Sequence, residues 1–235
     1  AKVPPKNPTK NDLEVAPDFV DIECLDRFTT QSLKWLDGRA AAARAGKPFF
    51  LYLPYTSPHK PVIPPEQFRG QGKAGAYGEF MIETDHHLGR ILKWLDDKMD
   101  IAFEQVPDDW IVIVTSDHGL TDSGQHGSDE PIIRETPGFI WGPNIAKGVH
   151  IKDVAQRDLA TLPSMILGLP LPHAISGRIP LDAFNLTEQE YQIYEQWNWD
   201  AAVERNEWMK DNDHPYIEGL SKDDIEWDKL RGDDI

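Results

Sequence analysis

The feature that most restricts the fold is the run Trp110-Ile-Val-Ile-Val114, which ends in Thr115-Ser-Asp-His-Gly119 and is soon followed by Gly124-Gln-His-Gly127. A continuous run of β-branched residues favours a strand and leaves it no polar face, so it predicts a strand buried on both sides of an α/β sheet. A carboxylate, an imidazole and a turn glycine at its end put potential metal ligands at the strand's C-terminal edge, where open α/β sheets collect their ligands. The chemistry indicated is metal-assisted hydrolysis, yet no activated nucleophile accompanies these residues.

The rest of the chain repeats the helix and strand alternation that builds parallel sheets. Residues 1–17 hold four prolines and read as an extended lead-in. From Asp26 to Arg44, Phe28, Leu33, Leu36 and Ala40 recur at helical spacing, and Gly46 supplies a stop. Pro48-Phe-Phe-Leu-Tyr-Leu-Pro54 is a second apolar run, expected as a strand buried on both faces. After a proline-rich loop, Tyr77–Asp97 places Phe80, Thr84, Leu88, Ile91, Leu92 and Leu95 on one helical face. Trp110–Thr115 and Gly138–Trp141 follow as strands, and Asp158–Leu167 as a short helix with Pro163 in an early or kinked turn. Beyond Phe184 the chain turns acidic and Trp-rich, which reads as a helical appendage whose aromatic residues pack back on the main body. The expected fold class is α/β, a mostly parallel sheet flanked by helices with an acidic C-terminal helical appendage. Its segments are 1–25 (lead-in), 26–184 (α/β domain) and 185–235 (extension).

The formal charge of −16 would repel DNA, RNA and anionic membrane surfaces, so no nucleic-acid partner is expected. No apolar stretch approaches the roughly 18 residues that span a bilayer, and a soluble chain is expected. Cys24, the single cysteine, can form no internal disulfide and gives no positive sign of an oxidising compartment. Asn185-Leu-Thr187 matches the N-glycosylation pattern, a match short enough for chance to supply.

Among the side chains that could do chemistry, Asp117 and His118 combine a hard carboxylate with a borderline imidazole, a pair suited to calcium, manganese or zinc. Two adjacent ligands cannot complete a site. His59, in Thr56-Ser-Pro-His-Lys-Pro61, follows the Pro48–Pro54 run and shares its edge with Asp117 if the two strands are parallel. Three roles stay open for His126: a third ligand, an anion-binding group or an ordinary loop histidine. His86 and His87 point about 100° apart on a helix, so they are expected on its surface and not at a shared metal.

Three blocks together resemble the C-terminal part of the sulfatase family, within the alkaline phosphatase superfamily: Pro48-Phe-Phe-Leu-Tyr-Leu-Pro-Tyr-Thr-Ser-Pro-His-Lys-Pro61, Tyr77–Asp85 with Leu88-Gly-Arg-Ile-Leu92, and Ile111–Gly119. The resemblance implies sulfate-ester cleavage by a formylglycine hydrate, with one divalent cation, commonly calcium, polarising the anion. It makes Asp117 and His118 metal ligands and His59 the group that contacts the sulfate and protonates the leaving group. Lys60 and His126 join His59 as substrate-binding residues. The implied substrate is a small-molecule or saccharide sulfate ester, and the implied location secreted, periplasmic or lysosomal.

Several departures qualify it. Formylglycine forms in a Cys/Ser-x-Pro-x-Arg motif, whereas Cys24 is followed by Leu25, Asp26, Arg27 and Phe28. The nucleophile and further aspartate ligands are therefore expected on an N-terminal half or a second chain. Many sulfatases carry asparagine at the position of His118, and the loop after it offers Arg134 where a lysine is usual. The stretch Asp117–Gly127 looks closer to the superfamily's phosphodiesterases and phosphoethanolamine transferases, whose counterpart of His126 binds a second metal, but Tyr55 stands where that site wants an aspartate. A phosphoric or phosphonic ester hydrolase with one or two metals is thus the alternative, and an inactive structural subunit the second.

Overall fold

A computed structural model describes residues 18–99, 110–121, 125–225 and 227–231. The chain divides into two compact units, Ala1–Gln105 and Val106–Ile235. The proline-rich lead-in expected over residues 1–17 lies outside the described residues.

The first unit is a helix pair, α1 (Cys24–Arg44) and α2 (Gly75–Met99). Leu25, Thr29, Leu36 and Ala40 form the buried stripe of α1, whereas Phe28, expected on that face, is exposed. α1 ends where Gly46 takes φ +80, so the amide of Gly46 donates to Ala43 and that of Lys47 to Ala42. The buried face of α2 runs through Phe80, Glu83, His87, Ile91, Trp94 and Leu95. Phe80, Ile91 and Leu95 are buried as expected, whereas Leu88, Leu92 and Thr84, which bonds Ser57, are half-buried, and Glu83 and His87 go inside. His86 is exposed as expected, but His87 is 3% exposed and belongs to the interior. The Trp94 indole donates to Asp37 at 2.8 Å, tying the helices together.

Pro48–Pro54 departs from expectation. Its backbone belongs to no ladder among the described residues, and its side chains alternate between half-buried and exposed, with Phe50 64% and Tyr52 76% exposed. It has the two-residue period of a strand without a partner strand among the described residues.

In the second unit, β1 (Val112–Thr115) pairs antiparallel with β2 (Gly138–Trp141), Val112 opposite Trp141 and Thr115 opposite Gly138. Among the described residues this is the sheet, so the mostly parallel arrangement is not what the ladder shows, and β1 is half-buried. The turn α3 (Pro131–Arg134) precedes β2. The expected helix over Asp158–Leu167 is a 3-10 stretch, Gln156–Thr161, running into α4 (Leu162–Leu167), with Pro163 in the first turn where no amide hydrogen is needed.

Glu188–Asp211 forms α5, and Trp227–Arg231 forms α6. Thr187, the last residue of the glycosylation-like triplet, caps α5: its hydroxyl accepts the Glu190 amide at 3.3 Å while Glu190 accepts the Thr187 amide at 2.8 Å. Ala202, Met209 and Leu230 make a small core, flanked by Trp208, Ile217, Ile225 and Trp227. α5 is fastened by Asn198, whose side chain accepts from the Ile179 amide at 2.7 Å and donates to its carbonyl at 3.0 Å. No helix among the described residues is long and apolar enough to cross a membrane.

Candidate functional site

Leaving β1, the chain makes a tight turn whose polar groups bond one another. The Ser116 hydroxyl donates to the His118 carbonyl at 2.8 Å, and the His118 amide donates to Asp117 Oδ1 at 3.1 Å. Gln156 reaches across to donate to the Ser116 carbonyl at 2.7 Å. The Gly119 amide donates to Ile133 at 2.7 Å. A Cβ on Gly119 would lie 2.0 Å from the Ile132 carbonyl oxygen, so the approach of α3 admits glycine alone.

His118 Nδ1 is 2.8 Å from the Gly119 carbonyl. Only an N–H can donate to a carbonyl, so Nδ1 carries the proton and the lone pair sits on Nε2. Nε2 lies 3.8 Å from Asp117 Oδ2, and the Asp117 carboxylate is 89% exposed. The turn thus holds an imidazole in the ligating tautomer beside an open carboxylate, its other nitrogen bonded to a backbone carbonyl as in metal-bound histidines generally.

His126 joins them. Its ring centroid is 4.6 Å from that of His118 at a 31° tilt. Just ahead of it, the Thr121 amide donates to the Gln125 carbonyl at 3.0 Å and the Gln125 amide to the Thr121 hydroxyl at 3.0 Å. Among the described residues no group of three or more His, Cys, Asp or Glu side chains is arranged to hold a metal. Asp117 and His118 fit a divalent cation as two ligands of a larger set.

His59 and Lys60 belong to the first unit, and both are exposed. His59 Nδ1 donates to the Lys60 carbonyl at 2.7 Å, and its amide to Thr56 at 3.1 Å. Both helices fasten this loop: Tyr55 shares a 2.7 Å hydrogen bond with Thr29 of α1, and Thr84 of α2 bonds Ser57 at 2.7 Å. Burial raises the Tyr55 phenol above its ordinary pKa, opposed by its bond to Thr29 and by Arg90. Sequence reasoning missed these supports. Thr29 and Gln156 bond partners 26 and 40 residues away, and no local pattern marks such pairs. The Ser116 bond, within a Ser-Asp-His-Gly turn, was within reach of turn chemistry. Cys24, half-buried, opens α1 and is followed by no proline, so the structure offers no formylglycine motif there.

The family model for sulfatases matches residues 4–168. The chain is 25% identical over 205 residues to an N-acetylgalactosamine-6-O-sulfatase of Bacteroides thetaiotaomicron, covering 75% of this chain and 39% of that protein. It is 31% identical over 114 residues to GPI ethanolamine phosphate transferase 1 of Saccharomyces cerevisiae, covering 38% of this chain and 12% of that one. With the human GPI ethanolamine phosphate transferase 1 it shares 32% over 96 residues, 32% of this chain and 10% of the relative. The chain therefore spans between about a tenth and two-fifths of the length of these relatives.

Proposed function

The chain belongs to the sulfatase family, and from that premise we propose that it is part of a sulfuric ester hydrolase in which Asp117 and His118 hold a divalent cation and His59 protonates the leaving group. The family implies an alkaline-phosphatase-like α/β fold and ester-cleaving chemistry. The mostly parallel sheet of that fold is assigned to the longer protein, with Pro48–Pro54 as one of its strands.

The observation that carries this reading is the turn after β1, where His118 Nε2 and the Asp117 carboxylate stand 3.8 Å apart in the state that ligates. The cation, calcium first and manganese or zinc otherwise, supplies positive charge against the oxyanion of the ester. His59 is held by Nδ1–H on the Lys60 carbonyl in both of its charge states, so the proton it exchanges is the one on Nε2. Lys60 and His126 bind the anion of the substrate, a small-molecule or saccharide sulfate ester. The formylglycine nucleophile and the remaining carboxylate ligands are assigned to polypeptide outside these 235 residues.

A second reading, cleavage or transfer of a phosphoric ester, draws on the 4.6 Å pairing of the His118 and His126 rings and on the phosphate-transferase relatives. Two imidazoles in contact suit a second metal better than a lone anion contact does.

Metal analysis of the full-length protein, with turnover of aryl sulfate and aryl phosphate esters, separates the two. Asp117→Ala is expected to abolish metal occupancy, and His59→Ala to keep the metal while lowering turnover by about 10²-fold or more. Equal loss of metal in both variants would make His59 a ligand and sink the one-metal assignment. Faster turnover of phosphate than of sulfate would move the protein to the second reading. No metal and no turnover would leave a structural subunit that keeps the fold without the chemistry.

A further inference from the structure

The second unit holds a cleft of about 350 Å³ that shares no residue with the turn after β1. One side is a face of α5, where Tyr191, Glu195, Asn198 and Trp199 recur at helical spacing. The other sides are Ile151–Val154 and Arg178–Asp182, and Lys222, Asp223, Ile225 and Trp227 close the end.

At its floor, Asn198 and Asp158 already have their polar partners within the protein. Asn198, 8% exposed, spends its amide on the Ile179 backbone. Asp158 is fully buried and accepts from the Arg178 amide through Oδ1 and from the Ala155 amide through Oδ2, each at 2.9 Å. Recognition must therefore come from the walls and the rim. The walls are apolar and aromatic: Ile179, Leu181, Ile225 and Trp199, with Tyr191 40% exposed at the mouth. Arg178 stands over the Trp227 ring at 5.9 Å, which leaves Trp199 and Tyr191 as stacking surfaces.

The rim mixes both signs of charge. Lys152 and Lys222 stand among Asp153, Asp182, Glu195 and Asp223. An anionic ligand would meet the carboxylates and a cationic one the lysines and Arg178, while an apolar one would strip water from the charges without replacing its hydrogen bonds. A neutral polyol meets neither cost, because its hydroxyls donate to carboxylates and accept from ammonium groups. A sugar ring adds a flat face of C–H groups that packs on an aromatic ring. The volume falls in the range of small-molecule pockets, about 300–1,000 Å³.

We propose that this cleft is a binding site for a neutral saccharide, with the sugar ring against Trp199 and Tyr191 and its hydroxyls bonded by the lysines and carboxylates of the rim. The site stands on its own residues and does not depend on which ester the protein cleaves.

The test is calorimetric titration of the full-length protein with N-acetylgalactosamine and with glucose, neither carrying a sulfate or phosphate. Saturable binding of at least one at millimolar concentrations is expected, weakened about fivefold or more by Trp199→Ala. Asp182→Asn, an exposed change that leaves the core alone, is expected to weaken binding as well, and circular dichroism checks that both variants are folded. Asp117→Ala is expected to bind the sugar like the unaltered protein. Absence of saturation by either sugar would overturn the proposal. So would binding that disappears in Asp117→Ala, which would place the sugar at the ester site, or binding indifferent to both cleft variants.

Discussion

Glu83 is 2% exposed, and its Oε2 meets no hydrogen-bond partner among the described residues. Burial, reinforced by Asp26, raises its carboxyl from 4.5 to about 7. One turn on, His87 is pushed from 6.5 down to about 4 by burial first and by Arg90 and His86 next. Arg90 donates to His87 Nδ1 at 3.2 Å, so the neutral ring carries its proton on Nε2, which lies 3.8 Å from Glu83 Oε1, beyond hydrogen-bond range. The two groups act on stability in opposite directions. Glu83 folds without penalty below pH 4.5 and loses stability as pH rises through about 7, whereas His87 is favourable above 6.5 and loses stability as pH falls toward 4. Glu83→Gln keeps the shape and removes the ionisation, so it should stabilise the protein at pH 8 by on the order of 2 kcal/mol, with the gain fading toward pH 5. Thermal melts across that range read this directly, and a gain constant with pH would show that burial does not raise the Glu83 carboxyl above its ordinary pKa. Both residues stand plainly in the helical pattern, and His87 is expected from it on the surface beside His86. Which face is buried depends on what packs against it.

At the level of elements, α5 shows how unequal two polar contacts can be. Thr187 caps the helix in an exposed position, and Thr187→Ala should cost about 1 kcal/mol. Asn198 holds the Ile179 backbone from a buried position, and Asn198→Ala leaves an amide and a carbonyl there unpaired, at roughly 1–3 kcal/mol each. Denaturant melts should therefore rank Asn198→Ala as the worse change, and the reverse order would mean that water reaches Ile179. The turn after β1 is limited by space. Gly119→Ala puts a carbon against the Ile132 carbonyl, so it should destabilise by on the order of 1–3 kcal/mol and lower the metal occupancy proposed for Asp117 and His118. Unchanged occupancy in the folded variant would detach the Asp117 and His118 geometry from the packing of α3. The existence of α1, α2 and β1 was legible in sequence because their periodicities are long or their runs unbroken. The partner of β1 was not, since a four-residue ladder with Gly138–Trp141 closes through a loop whose direction no periodicity encodes.

At the scale of the whole molecule, the extended stretch after α1 is, among the described residues, the part most at odds with water. Phe50 and Tyr52 are 64% and 76% exposed on a segment with strand alternation and no ladder among the described residues, and the chain covers at most 39% of the relatives compared above. Exposed apolar strands seek partners, so the 235-residue chain alone should self-associate, and the double change Phe50→Ser with Tyr52→Ser should reduce that association in light-scattering measurements. Equal association of the double variant would place the adhesive surface elsewhere. What the sequence determined by itself was whatever rests on local order: the family, through three blocks in fixed succession; the helices, through their period; and the juxtaposition of Asp117 with His118, which are chain neighbours. Only the tertiary structure decided that Glu83 and His87 face inward, that His118 offers Nε2 because the Gly119 carbonyl takes Nδ1–H, and that His126 comes to lie on the His118 ring. Periodicity states that a helix has a buried side, and chain order that Asp117 and His118 are neighbours in a turn. Which side and which nitrogen follow from contacts, set by backbone approach and desolvation and invisible along the chain.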